Sequence, residues 1–442
     1  MNAGKRAHTI NSSVSVLVLI GWILLITAIS VAVYPSEATR FPENDGLSTI
    51  TALPMATIPE ENENAESESV YTNNNGNDSA KWTFMVYMAA DDDRLEEAAL
   101  DDFMEMADIG TNDSVNVVVQ LDRISGDDHS YDNWTDCRRF LVTKDITPAD
   151  GNEVMDIGEV NMGDPSTLVS FVEWTISNFP AERYAVIISS HGKGWSGSCW
   201  DHTSDNDNMN LMEMRNALSE IYKFNGRPID LLGFDACLMS TIEVAYEVHQ
   251  YASIMVASEL PEPVSGWPYN TILKRLIETS DIDASELATI IVDNYYLSDA
   301  HTACAMTAID LNKIDAVING LKDLAQDLIA YNETNVLAIQ SYARTVTDAI
   351  SQAVIYERHE MSWHSVHGLA IYLPKYQEGF SSAYTPDTVS FADATAWEDF
   401  VTDSYTYAED NWLTTVIGDT EQYLTGNVDL YEFCQHLIDH DS

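Results

Sequence analysis

From residue 81 to about residue 375, short runs of consecutive apolar residues alternate with longer stretches whose apolar positions recur every three or four residues. The runs "WTFMVYMAA" (82–90), "VNVVVQLD" (115–122), "YAVIISS" (184–190), "IDLLGFDAC" (229–237) and "ASIMVAS" (252–258) predict strands. They are predominantly apolar without strict alternation, the pattern of strands covered on both faces. "RRFLVTKD" (138–145) predicts a further strand after an Asp- and Gly-rich turn. Between the strands, "DRLEEAALDDFMEMADI" (93–109), residues 165–179 and "LMEMRNALSEIYKF" (211–224) carry helical spacing, and a helix separates the runs at 229–237 and 252–258. Beyond residue 280 the pattern gives helices, a strand at 302–310, long helices near 314–356 and the apolar run "VHGLAIYLP" (366–374). Strands alternating with helices predict an α/β fold, a mostly parallel sheet with helices on both faces joined by right-handed crossovers. Residues 376–442 are helical or irregular in pattern and form a C-terminal extension or cap.

The N-terminus differs. Lys5 and Arg6 precede 21 uncharged residues at 14–34, long enough to span a bilayer as a helix of about 20 residues. The basic flank predicts an inward N-terminus, with the bulk of the chain exported. The segment 1–34 is expected to be a signal anchor; Ser30 and Ala32 are small enough to permit cleavage instead. Residues 35–80 are rich in Glu, Asn, Ser, Thr and Pro without apolar periodicity, which predicts a disordered acidic tether. The main folded domain is then expected over 81–375.

Charge narrows the partners. The chain carries 71 acidic against 21 basic residues, a net charge of −50, so nucleic acid is excluded for want of clustered Lys and Arg. The surface is strongly hydrated, and salt would screen its self-repulsion.

In an open α/β sheet, sites form beyond the C-terminal strand ends. The residues there are Asp91 to Asp93, His191, Cys237 and Glu259. His191 lies in "SSHG", and Cys237 closes "FDAC" at a predicted strand end ahead of a helix. A helix N-terminus favours the thiolate, and a neighbouring histidine supplies the base and acid of cysteine hydrolysis. An inert core cysteine is the plain alternative. The five cysteines (137, 199, 237, 304 and 434) show no metal-type spacing; an exported chain could pair four and leave one free.

"SSHG" followed by "FDAC", with "WTFMVYMAADDDRLEEAALDDFMEM" before them and "VASELPEPVSGWPY" after, resembles the clostripain family of cysteine peptidases, whose caspase-like sheet is shared with caspases, legumains and gingipains. The resemblance implies that Cys237 is the nucleophile and His191 the base of a dyad without a required third member. The backbone N–H groups of Gly192 and Cys237 would form the oxyanion hole. Asp235 would lie in the pocket that receives the residue before the cut and support cleavage after Arg or Lys; a hydrogen-bonding role at the strand end is the alternative. Glu262 is a candidate second acid for that pocket. Trp195, Trp200 and Trp267 are candidates for the cleft, Trp267 as a contact to substrate.

Some relatives need calcium, and Asp201, Asp205 and Asp207 could bind it, although no EF-hand order of ligands is present; the chemistry itself requires no cofactor. After Lys193 no Lys or Arg occurs before Arg215, so self-cleavage at a basic residue of that loop is not expected. "HEMSWH" (359–364) is one residue longer than the zinc-protease motif, and no GxSxG elbow or P-loop occurs. The expectation is an exported, membrane-tethered cysteine endopeptidase acting on protein or peptide substrates. Its rivals are a catalytically silent recognition module on the same fold and a transpeptidase.

Overall fold

The computed structural model describes residues 79–439 apart from 93, 127, 299–303, 333, 362–364, 407–411 and 424–425. The apolar run 14–34 and nearly all of the tether at 35–80 lie outside the described residues. Among the described residues no helix is long and apolar enough to cross a membrane.

Nine strands form one sheet in the order β11-β10-β9-β8-β5-β1-β2-β3-β4. Its centre is the predicted set: β1 (Ala80–Ala90), β2 (Val115–Arg123), β5 (Ala181–Ser189), β8 (Ile229–Asp235) and β9 (Ala252–Ala257). All neighbours within that set are parallel. β1 shows why a continuous apolar run fits there. Trp82, Phe84, Val86 and Met88 enter one core, while Met85, Tyr87 and Ala89 enter the other, so both faces of the pleat are covered.

The edges are antiparallel, so the sheet is mixed rather than uniformly parallel. β3 (Cys137–Leu141) pairs antiparallel with β2, and β4 (Met155–Gly158) with β3. The segment joining β2 to β3 contains no α-helix, and a parallel return needs a crossover of a dozen or more residues, usually helical. On the opposite edge β10 (Ala305–Asp310) pairs antiparallel with β9, and β11 (Val354–His359) with β10. β11 lies in sequence that the apolar pattern assigns to the end of a long helix.

One face of the sheet is covered by helices Glu96–Ile109, Tyr269–Glu278 and Ala284–Leu297. The other is covered by Pro165–Asn178, Leu211–Asn225, Ile242–Val248, Ile314–Ile329 and Val336–Ala353. Their starts carry local signals. Asp164 caps a helix whose first residue is Pro165. Asn210 and Glu213 form a reciprocal capping box, and that helix ends on Gly226 at φ 75°.

Two small hairpins complete the fold. β6 (Ser198–Asp201) pairs with β7 (Asp207–Met209) just after His191. β12 (Ala370–Tyr372) pairs with β13 (Asn427–Asp429). The segment after residue 376 packs into the same core as the second helical face, through Phe391, Trp397, Phe400, Phe433 and Leu437.

Candidate active site

β5 and β8 are adjacent and parallel, with Ser189 directly opposite Asp235. His191 and Cys237 each lie two residues beyond that pair, so both leave the same edge of the sheet side by side. Both line one pocket, together with Ala89, Asp102, Asp235, Glu262 and Gly266.

The chain around Cys237 is not a helix N-terminus. Leu238 adopts φ 64°, Leu238 N donates to Leu260 O, and Ser240 N donates to Ser258 O. The next helix begins only at Ile242, with Thr241 as its cap. The helix-dipole expectation therefore fails, and the thiol is pushed the other way. Burial, then the neighbouring Glu262 carboxylate, raise Cys237 to about 11. Its Sγ accepts a hydrogen bond from Glu262 N at 3.1 Å and donates to Glu262 O at 3.7 Å. These surroundings favour the neutral thiol over the thiolate.

His191 is half-exposed, and its Nε2 lies 3.3 Å from Asp92 Oδ2. The same oxygen lies 3.2 Å from Nε2 of His202. Burial alone would raise Asp92, but the His191 hydrogen bond, the Arg94 amide and His202 outweigh it and hold the carboxyl at about 2. The dyad read from the sequence thus has a carboxylate behind its histidine. Asp92 was visible only as an acid past a strand end; that it meets His191 depends on the β1–β5 pairing.

Gly192 approaches the Cys237 segment so closely that a Cβ there would fall 2.2 Å from Cys237 O. Only glycine allows this approach. Gly192 also bridges to Ser198, and Ser198 Oγ donates to His191 O at 2.7 Å, which ties the histidine to the β6–β7 hairpin.

Three acids sit together in the pocket. Asp235 is buried and accepts from Tyr269 OH at 2.8 Å and from Trp267 N at 3.3 Å. Burial is the main reason its pKa rises to about 6, with Glu105 adding to it. Asp102, from the helix Glu96–Ile109, and Glu262 are both pushed well above the usual carboxylate range by burial and then by Asp235. Gly266, at φ 56°, lies between two of them: a Cβ there would fall 2.9 Å from Asp102 Oδ2 and 2.9 Å from Asp235 Oδ2. Asp102 and Gly266 had no signal in the sequence, because they reach the pocket from a helix and a loop distant in the chain.

Other candidates are placed elsewhere. Trp267 is wholly buried against Gly233, and its backbone N–H donates to Asp235. Trp195 packs on Tyr372 and Tyr384. Glu259 is buried and accepts from Gly368 N, a structural contact at the end of β9. Asp205 and Asp207 are exposed, and Asp207 Oδ2 accepts from Asn161 Nδ2 at 2.6 Å, whereas Asp201 points inward. The three acids considered for calcium therefore do not converge. All five cysteines are free, so the pairing of four that an exported chain could make is not formed; all but Cys237 are buried.

The model of the clostripain family matches residues 86–420. Clostripain of Hathewaya histolytica is 31% identical over 252 residues, which cover 50% of this chain and 47% of the relative, about half its length. Among solved structures, a secreted C11 cysteine protease of Bacteroides thetaiotaomicron, in complex with an irreversible peptide inhibitor, superposes with a TM-score of 0.55. It is 19% identical over 72% of this chain and 100% of that one. An inactive zymogen C11 protease of Parabacteroides distasonis gives a TM-score of 0.50 at 19% identity, covering 64% and 84%. At these identities the two structures show a shared fold.

Proposed function

Because the chain belongs to the clostripain family, we propose that it is a cysteine endopeptidase that cuts after Arg or Lys, with Cys237 as nucleophile and His191 as base. The observation that carries this reading is the pocket itself. His191 and Cys237 share it with three buried acids, Asp102, Asp235 and Glu262, and none of the described residues of its wall is Lys or Arg. Buried carboxylates without a counter-charge favour a cationic guest, because in a low-dielectric site a guanidinium or ammonium recovers much of the desolvation cost. Arg can engage two carboxylate oxygens at once.

In the first step the Cys237 proton passes to His191, and Sγ attacks the scissile carbonyl carbon. With Nε2 held by Asp92, Nδ1 is the ring nitrogen left to exchange that proton. The carbonyl oxygen then carries negative charge, for which the N–H groups of Gly192 and Cys237 are the proposed donors. As the C–N bond breaks, His191 returns the proton to the leaving amine. Water, deprotonated by His191, then attacks the thioester and releases the acid and the thiol. The raised thiol pKa means that general-base transfer, rather than a preformed thiolate, starts the reaction.

The apolar run at 14–34 is proposed to direct the catalytic part out of the cell, and to remain as an anchor unless it is cleaved. The Bacteroides relative is described as secreted, which supports export.

Alkylation tests the nucleophile. Cys237 is the one cysteine of the five that is not buried, so iodoacetamide should add first to Cys237, and one modification should abolish turnover. Full activity with Cys237 alkylated would reject the assignment.

A further inference from the structure

A groove of about 280 Å³ lies between the first half of the helix Glu96–Ile109 and the loop at 264–265. It shares Ala98, Asp102 and Val264 with the pocket of His191 and Cys237, so the two adjoin. Five charged residues line the groove. Four are acids, Glu97, Asp101, Asp102 and Glu105, and the fifth is Arg94. Glu97, Asp101 and Val264 are exposed, which opens the groove to solvent, and Glu105 is half-buried.

Helix stability does not explain these acids. Glu97, Asp101 and Glu105 recur every four residues, so they stand on one face, where like charges repel and weaken the helix. Burial, and then the carboxylates of Asp108 and Asp101, push Glu105 up from its ordinary range. Arg94 does not neutralise them: its side chain is exposed and, among the described residues, pairs with none of the four.

Asp102 supplies an independent argument. It is only 5% exposed, and among the described residues no group donates to its carboxyl. It lines both the catalytic pocket and the groove, so a donor can reach it from either side. A buried carboxylate with neither donor nor counter-ion is costly. A cationic side chain in the groove would be both.

We propose that this groove is a second specificity subsite, which takes a Lys or Arg side chain of the substrate close to the one that enters the catalytic pocket. The inference rests on the peptidase reading and narrows its substrates to chains with paired or clustered basic residues. Glu97 and Asp101 attract the side chain at the solvent end, and Asp102 receives it at the buried end. The net charge of −50 draws any basic peptide toward the chain. The subsite adds a preference that depends on position along the peptide and on particular acids.

Internally quenched peptides with one Arg test this on the full-length protein. Lys or neutral Gln is placed at each nearby position in turn, and mass spectrometry scores the cut after Arg. Lys at one position should raise kcat/KM about tenfold over Gln, less so at high salt. In the double variant Glu97→Gln, Asp101→Asn that gain should fall to about twofold or less, while the peptide with Arg alone is cut as by the parent. Asp108→Asn, an exposed acid of the same helix outside the groove, should keep the gain. With cleavage after Arg intact, the absence of any position that favours Lys would overturn the subsite. A gain that survives the double variant, or an equal loss in Asp108→Asn, would do the same. No cleavage after Arg in any peptide would instead overturn the peptidase reading, and the subsite with it.

Discussion

His191 Nε2 lies 3.3 Å from Asp92 Oδ2, and the same carboxylate oxygen lies 3.2 Å from Nε2 of His202. Asp92 is 4% exposed in its side chain and His191 37%, so a buried carboxylate meets a partly exposed ring and is placed to orient it. We propose that Asp92 is a third, positioning group for the dyad.

Asp92→Asn should lower kcat by about tenfold to a hundredfold with little change in KM, while iodoacetamide still finds Cys237. Steady-state kinetics beside the alkylation rate checks this. A change in KM alone would show that Asp92 acts on substrate rather than on His191.

Gly266→Ala should exclude basic side chains. The new methyl would stand 2.9 Å from an oxygen of both Asp102 and Asp235, at a backbone φ of 56° that resists a side chain. Turnover of Arg and Lys peptides should fall about a hundredfold or more. Labelling of Cys237 by a small alkylating reagent should persist, which separates a blocked pocket from a misfolded chain.

Discrimination for a basic residue should depend on acid pH. Asp235 titrates near 6 because burial raises it; below that pH it is neutral and no longer attracts a cation. The ratio of kcat/KM for an Arg substrate to that for its neutral citrulline isostere cancels every ionisation that affects both substrates alike. That ratio should fall as the pH drops through about 6. In Asp235→Asn it should be lower, and the fall near pH 6 should be lost.

Much of this was legible in the sequence, and the boundary has a physical cause. The five central strands announce themselves because burial on both faces demands unbroken apolar runs. His191 and Cys237 follow from strand ends, which local pattern can locate. Asp92, Asp102 and Gly266 meet His191 or Asp235 from far along the chain, and strand order, which creates those neighbours, has no local signature. Cys237 misled because a short loop through Leu238, rather than a helix, follows its strand. β11 was taken for helix because Val354–His359 directly continues the helix Val336–Ala353.

Residues beyond 376 should prove integral to stability. Trp397 is fully buried and donates from Nε1 to Tyr372 O at 2.8 Å. Trp397→Ala should destabilise the fold by about 3–5 kcal/mol, measured by denaturant unfolding. An effect under about 1 kcal/mol would mark the segment as a separable cap.

The central claim is tested most directly by full-length protein and its Cys237→Ala variant, assayed on fluorogenic peptides that differ only in ending with Arg, Lys, Asp or Asn. The account predicts release after Arg and Lys alone, abolished in Cys237→Ala. Cleavage after Asp or Asn, or cleavage that survives loss of Cys237, would contradict it.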